Sequence, residues 1–164
     1  MAHILIDGYN LIGIAHKSLE KARNDVIERL HLYSSAKGHD ITIVFDGWKD
    51  GQRVETRMRA GNVNIIYSRL GEKADSVIKR ILTEGVKPWV VVSSDREISD
   101  FAEKKDFVCL AADEFEDRVV FSLGEEPEEI FENDEIDISA AYKKRGHHKL
   151  SRKQKKKIRT LEKL

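Results

Sequence analysis

The sequence predicts an α/β fold: a three-layer α/β/α sandwich with helices on both faces of a mainly parallel, five-stranded sheet. Three observations carry that prediction. Five short runs of branched or aromatic apolar residues recur along the chain, helical patterns lie between them, and each run is continuously apolar, as expected of strands covered on both faces. A chain of 164 residues is long enough to bury about two thirds of its unfolded surface without staples.

The first run, His3 to Ile6, ends on Asp7, where the strand must leave the sheet. A helix is predicted over Leu19–Lys37, with Ala22, Val26, Leu30 and Tyr33 at helical spacing and Gly38 as its stop. The second strand is Ile41–Phe45. Gly47 to Asn62 is polar, holds Arg53, Arg57 and Arg59, and reads as a mobile basic loop suited to phosphate, though arginines on a solvated loop are commoner. Val63–Tyr67 is the third strand, and Ala74–Glu84 the next helix, with Val77, Ile78, Ile81 and Leu82 on one face and Gly85 after it. Trp89–Val92 and Phe107–Leu110 complete the sheet, with helices from Asp95 to Lys104 and from Asp113 into Phe121.

Beyond Gly124 the composition changes. We divide the chain into a domain over 1–124, an acidic linker over 125–142 and a basic tail over 143–164. The net charge of zero hides this asymmetry. Residues 143–164 carry eleven Lys/Arg against one acid, Glu162, and Glu125 to Asp137 holds eight acids and no base. A tail of +10 on a body of −10 points to a polyanion partner, with a merely solubilising tail as the plain alternative. Leu150 to Leu164 is predicted as a basic helix whose stripe of Ile158, Leu161 and Leu164 is thin enough to need a partner surface.

Several classes are excluded. The N-terminus lacks the features of a signal peptide, and no apolar run approaches the roughly 20 residues of a membrane span. The single cysteine, Cys109, allows no internal disulfide, and no Cys/His spacing suggests structural zinc. A cytoplasmic protein is expected. Cys109 and Trp89 read as core, His3 as a strand residue, and His147 and His148 as exposed tail. Trp48 could stack on a base or anchor its loop.

The acids carry the chemistry. "ILIDGYN" places Asp7, "TIVFDGW" Asp46 and "VVVSSDRE" Asp95 just past the carboxyl ends of three strands, and "GEKADSVIKR" places Asp75 in the first turn of a helix. That edge is where open parallel sheets bind ligands. Each acid alone has an ordinary explanation: Asp95 as a helix cap, Asp75 as a charge at a helix start, Asp7-Gly8 and Asp46-Gly47 as turn dipeptides. Together they are harder to dismiss. Neighbouring strands lie about 4.8 Å apart, so carboxylates ending adjacent strands repel, and such a cluster is retained when a cation belongs there. Carboxylate oxygen suits Mg²⁺ or Mn²⁺ with water and substrate phosphate completing the shell. Asn10 offers an amide, and Ser93 and Ser94 offer hydroxyls beside a helix N-terminus that favours anions. Phosphodiester hydrolysis fits this set.

At "IDGYNLIG", "VFDGW", "KADSVIKRI" and "VVSSDREISDFA", in that order, the sequence resembles the NYN-domain branch of the PIN-like nucleases. Within that branch it looks like the YacP-like proteins, also described as ribosome-associated A-site endoribonucleases. The resemblance covers roughly residues 3–122. It implies a sheet of order 3-2-1-4-5 and Mg²⁺- or Mn²⁺-dependent cleavage of RNA. Asp7, Asp75 and Asp95 match the family's metal-binding acids, Asp46 an additional acid at the edge of the site, and Asn10 the amide of the NYN signature, positioning Asp7 or substrate. mRNA as substrate and the ribosome as partner are expectations from the subgroup. The resemblance leaves open whether cleavage is endo- or exonucleolytic and whether one metal or two take part.

Three other readings compete with this one. A haloacid-dehalogenase-type phosphatase needs a second acid two residues after the first, where this chain has Tyr9. A receiver domain needs a lysine after the fifth strand, and "FVCLAADE" has none. The remaining rival is a non-catalytic RNA- or ribosome-binding module on the same fold.

Overall fold

The computed structural model describes residues 1–12, 18–47, 53–124 and 152–164. Trp48, His147, His148 and the acidic stretch Glu125 to Asp137 lie outside the described residues. The chain runs β1 (His3–Asp7), α1 (Gly8–Ile12), α2 (Leu19–Lys37), β2 (Asp40–Phe45), β3 (Thr56–Ala60), β4 (Val63–Tyr67), α3 (Ala74–Glu84), β5 (Trp89–Val92), α4 (Arg96–Lys104), β6 (Val108–Leu110), α5 (Ala112–Leu123) and α6 (Arg152–Leu161). One sheet has the order β3-β4-β2-β1-β5-β6.

The five predicted strands stand in the order 3-2-1-4-5 and are all parallel. The strand count is corrected to six. Part of the expected loop, Thr56–Ala60, is an antiparallel edge strand on β4, with Thr56 opposite Tyr67 and Ala60 opposite Val63. Two residues, Gly61 and Asn62, turn the hairpin, and Gly61 takes the left-handed φ of 58° that such turns need. Charged residues along β3 suit an outermost strand, which must not invite further pairing.

Alternation along β1 divides the core. Ile4 and Ile6 join Ala22, Val26, Leu30 and Tyr33 of α2 and Phe115 and Val119 of α5 on one face. Leu5 joins Val77, Ile78 and Leu82 of α3 and Ile98 and Ala102 of α4 on the other. The predicted stops hold, Gly38 closing α2 at φ 68° and Gly85 closing α3 at φ 62°, and Ser18 caps the start of α2, its Oγ accepting from Lys21 N at 3.4 Å.

Asp7-Gly8 is not a turn. The chain passes directly from β1 into α1, and Gly8 is required by packing: a Cβ there would lie 2.3 Å from the Phe45 ring and 2.9 Å from the Val44 carbonyl oxygen. Gly8→Ala is expected to cost about 1–3 kcal/mol through overpacking. Urea denaturation checks this, and an unchanged midpoint would refute it.

The basic helix finds its partner surface in the domain itself. α6 packs beside β6; Leu164, just beyond it, is buried in the α2/α5 core cluster, with Leu161 packed against that cluster. The Tyr33 hydroxyl, buried, donates to the Leu164 carbonyl oxygen at 2.8 Å. Lys156 pairs with Asp106 at 3.0 Å and Lys157 with Glu114 at 2.7 Å.

Candidate active site

β1, β2 and β5 are adjacent, so Asp7, Asp46 and Asp95 follow three neighbouring strands at the carboxyl edge. Asp7 is the most enclosed, at 5% exposure. Its Oδ2 accepts from Asn10 Nδ2 and, at 3.3 Å, from Ser93 Oγ. Burial pushes its pKa up from 3.8 to about 6; the Asp75 and Asp46 charges push the same way, while the Asn10 and Ser93 hydrogen bonds oppose. A carboxylate so placed is costly when ionised and uncompensated.

Asp46 and Asp95 are each held by one oxygen. Asp46 Oδ1 accepts from the Ala74 N–H, the first N–H of α3, whose own N-cap, Lys73, supplies no side-chain bond. Asp95 caps α4, its Oδ1 accepting from Glu97 N at 2.6 Å and Ile98 N at 3.4 Å. Asp75, in the first turn of α3, has its pKa raised by burial, then by Asp95, Asp46 and Glu97, against the lowering influence of Lys79. Among the described residues no hydrogen bond is made to Oδ1 of Asp7 or to Oδ2 of Asp46 and Asp95. Capping and ligation therefore do not compete for the same oxygen.

Asn10 spends both ends of its amide inside the protein: Nδ2 on Asp7 and Oδ1 on the Ser94 N–H at 3.3 Å. The Ser93 hydroxyl also accepts from Asp95 N at 3.1 Å, and the Ser94 hydroxyl from Ala112 N at 3.1 Å. These three residues thus tie β1, β5 and α5 together and fix the direction of the Asp7 carboxylate. Gly47 donates to Ser68 Oγ at 3.0 Å, which anchors the β2 end.

The arginines are elsewhere. Arg57 and Arg59 are exposed on β3, at the sheet's margin, where Arg57 Nε pairs with Glu55 at 2.8 Å and Arg59 Nε donates to the Gly61 carbonyl at 2.8 Å. Because β3 runs antiparallel, Arg57 lies nearer the acidic edge and Arg59 nearer the opposite one. Arg53, exposed, precedes the strand on the acidic side.

Sequence reasoning missed an aromatic wall beside Asp46. The Tyr9 hydroxyl donates to the Asp46 carbonyl oxygen at 3.4 Å, Tyr9 meets Phe45 edge to face, and Phe45 stacks on Tyr67. Arg23 of α2 lies 5.8 Å from the Tyr67 ring centroid. Only the tertiary fold brings Arg23 there, although Tyr9 and Tyr67 both stand next to strand ends in the sequence. Lys79 and Glu97, an ion pair, likewise flank Asp75 unannounced.

The donor set is hard oxygen throughout, which suits Mg²⁺ or Mn²⁺. Among the described residues no three carboxylate, thiol or imidazole groups converge to hold an ion alone. The fit is to an open site, with one or two carboxylates and the rest water and phosphate oxygen, as is usual for Mg²⁺.

Comparison with known proteins agrees with this arrangement of strands. The uncharacterized protein YacP of Bacillus subtilis (strain 168) is 31% identical over 87 residues, a stretch that spans 48% of this chain and about half, 49%, of that protein. Two crystal structures of Rae1 (YacP) from Bacillus subtilis, one of them a point mutant, superpose with TM-scores of 0.61 and 0.59 at 23% and 22% identity. They cover 76% of this chain and 78% and 76% of their own. At that identity the likeness is one of fold. The profile of the YacP-like NYN domain matches residues 4–163, past the four motifs and through α6, and the chain therefore belongs to the YacP-like NYN domain family.

Proposed function

We propose that the chain is a Mg²⁺- or Mn²⁺-dependent endoribonuclease that cuts mRNA in the cytoplasm in association with the ribosome. The observation that carries this reading is Asp7: a nearly buried carboxylate, oriented by Asn10 and Ser93, at the end of the central strand among three further acids. Family membership supports nuclease chemistry of the NYN type.

Asp7, Asp75 and Asp95 would share the metal site, one or two of them directly on the ion and the rest through bound water, and Asp46 stands at the edge. When bound, the ion supplies a nucleophilic water of lowered pKa and polarises the phosphoryl oxygen. The protein's own part is positional. Asn10 and Ser93 prevent Asp7 from turning away, Ser94 ties that network to α5, and Asp46 fixes the start of α3 and with it Asp75. Arg53 and Arg57, on the acidic side of the margin, supply the positive charge that an RNA backbone needs to approach so many acids; Arg59 extends it along β3.

The deciding experiment incubates the protein with ribosomes carrying translated mRNA, and separately with naked RNA, with Mg²⁺, Mn²⁺ or chelator. Internal cuts that need metal and increase with ribosomes support the proposal. RNA bound but uncut in every condition overturns it in favour of a non-catalytic binding module. A second measurement reads the metal directly. At a hundred times its Kd, Mn²⁺ should stabilise the fold by about 2.7 kcal/mol, raising Tm by about 5–10 °C, and Asp75→Asn/Asp95→Asn should remove the shift. An equal shift in both proteins would place the ion elsewhere.

A further inference from the structure

α6 presents two different faces. Inward, Leu161 packs on the core cluster, as Leu164 does beyond the helix, and Lys156 and Lys157 are each paired to a carboxylate of the domain. Outward, Arg152, Lys155 and Arg159, with Lys163 just past the helix end, are all exposed. Their spacings of three, four and four residues put them on one side of the helix. Arg152 to Arg159 spans about 10 Å along the axis. Among the described residues no carboxylate pairs with any of the four.

We propose that this stripe is a second RNA-binding surface, a docking rail for the phosphate backbone of a single strand, separate from the acidic edge where cleavage is placed. The proposal rests on the reading of the protein as an RNA-processing enzyme and adds the means by which an acidic domain holds a polyanion. Three features favour RNA. A membrane-surface helix must insert its apolar face, and here that face is buried against the domain. A protein partner would want an aromatic or aliphatic anchor among the charges, and the stripe offers none. A row of cations on a helix already locked in place suits a repeating chain of phosphates, with no cost for folding the helix on binding.

Its position makes it a holding surface. α6 lies beside β6, at one edge of the sheet, while Arg57 and Arg59 mark the other edge on β3. The acids follow the central strands between them. Binding at the stripe should be independent of base sequence, because phosphates carry no sequence information.

The test is fluorescence anisotropy of a labelled 20-nucleotide oligouridine with the full chain in chelator, titrated with KCl. No turnover is needed in chelator, so a failed stripe is distinguishable from a failed nuclease assignment. Each phosphate contact contributes about 0.7 to the slope of log affinity against log salt. Arg152→Gln/Lys155→Gln/Arg159→Gln/Lys163→Gln should therefore lower the slope by about 2–3 and weaken binding at least about tenfold at low salt. Arg152→Gln/Lys155→Gln should lower the slope by about half as much. Circular dichroism melts should stay within about 2 °C of the parent, because all four side chains are exposed. Unchanged affinity and slope in the folded quadruple variant overturn the proposal. So does a loss confined to phosphatidylserine vesicles with RNA binding retained.

Discussion

Asp7→Asn is expected to lower RNA cleavage at saturating substrate by about a thousandfold or more while raising the melting temperature of the metal-free protein. The first effect follows from the proposed role of Asp7: its carboxylate would hold an ion that would supply several kcal/mol of transition-state stabilisation. The second follows from the cost of Asp7 itself. At neutral pH its carboxylate is ionised, nearly buried and flanked by Asp75 and Asp46. Asparagine keeps an oxygen to accept from Asn10 and Ser93 and carries no charge. A shift of pKa from 3.8 to about 6 corresponds to about 3 kcal/mol, so Tm should rise by several degrees. A variant that loses activity and stability together would mean that Asp7 is a structural acid. Full activity in Asp7→Asn would remove it from the chemistry altogether.

The same shift makes a pH signature. Folded Asp7 binds its proton more tightly than the unfolded chain does, so the stability this confers is fully present below about pH 3.8 and is lost as pH rises through about 6. Urea unfolding of the parent in chelator, compared with Asp7→Asn at each pH, isolates this contribution from the other titrating groups. The advantage of the asparagine variant should grow between about pH 4 and pH 6 and then level off. A constant difference across that range would show that Asp7 is not perturbed.

What could be read from the sequence, and what could not, divides along the range of the interactions. β1, β2, β4, β5 and β6 were visible because strands covered on both faces are mostly apolar, with few polar positions such as Thr42 and Asn64. β3 was hidden because Met58 is its one large apolar side chain and is itself exposed; an outer strand has no face pattern to display, and Gly61-Asn62 was the available hairpin signal. α1 was hidden because Asp7-Gly8 imitates a turn, while the reason for glycine is the distant Phe45 ring. At the candidate site, strand ends placed the acids. The bonds that orient them, Asn10 to Ser94 and Asp46 to Ala74, join residues 84 and 28 positions apart, and no local pattern encodes them. Asp95 illustrates why one acid resists assignment from sequence: it caps α4 through Oδ1 and its charge also acts on Asp75, so the cap does not exclude a place among the carboxylates.

Deleting residues 158–164 is expected to unfold or severely destabilise the domain, lowering Tm by 10 °C or more on a scale of about 2–4 °C per kcal/mol. The tail looks detachable from its charge, but its last residue is core. Leu164 is 4% exposed among residues of α2 and α5. Removing it opens a cavity, for which a buried leucine costs about 2–5 kcal/mol. It also strands the Tyr33 hydroxyl, whose pKa burial raises to about 12, so it remains a neutral donor at working pH, now without the Leu164 carbonyl oxygen. An unsatisfied buried hydroxyl adds about 1–3 kcal/mol. Leu164→Ala isolates the cavity contribution and should cost about 2 kcal/mol or more. Tyr33→Phe, which keeps the ring contact with Phe115, should cost about 1 kcal/mol. Added to the truncation, Tyr33→Phe should recover part of the lost stability, because it removes the group the truncation leaves unpaired. Differential scanning calorimetry of the four proteins closes this cycle. A truncated chain that melts with the parent would show that α6 does not hold the core, and Tyr33→Phe failing to recover any stability would show that the hydroxyl was never stranded.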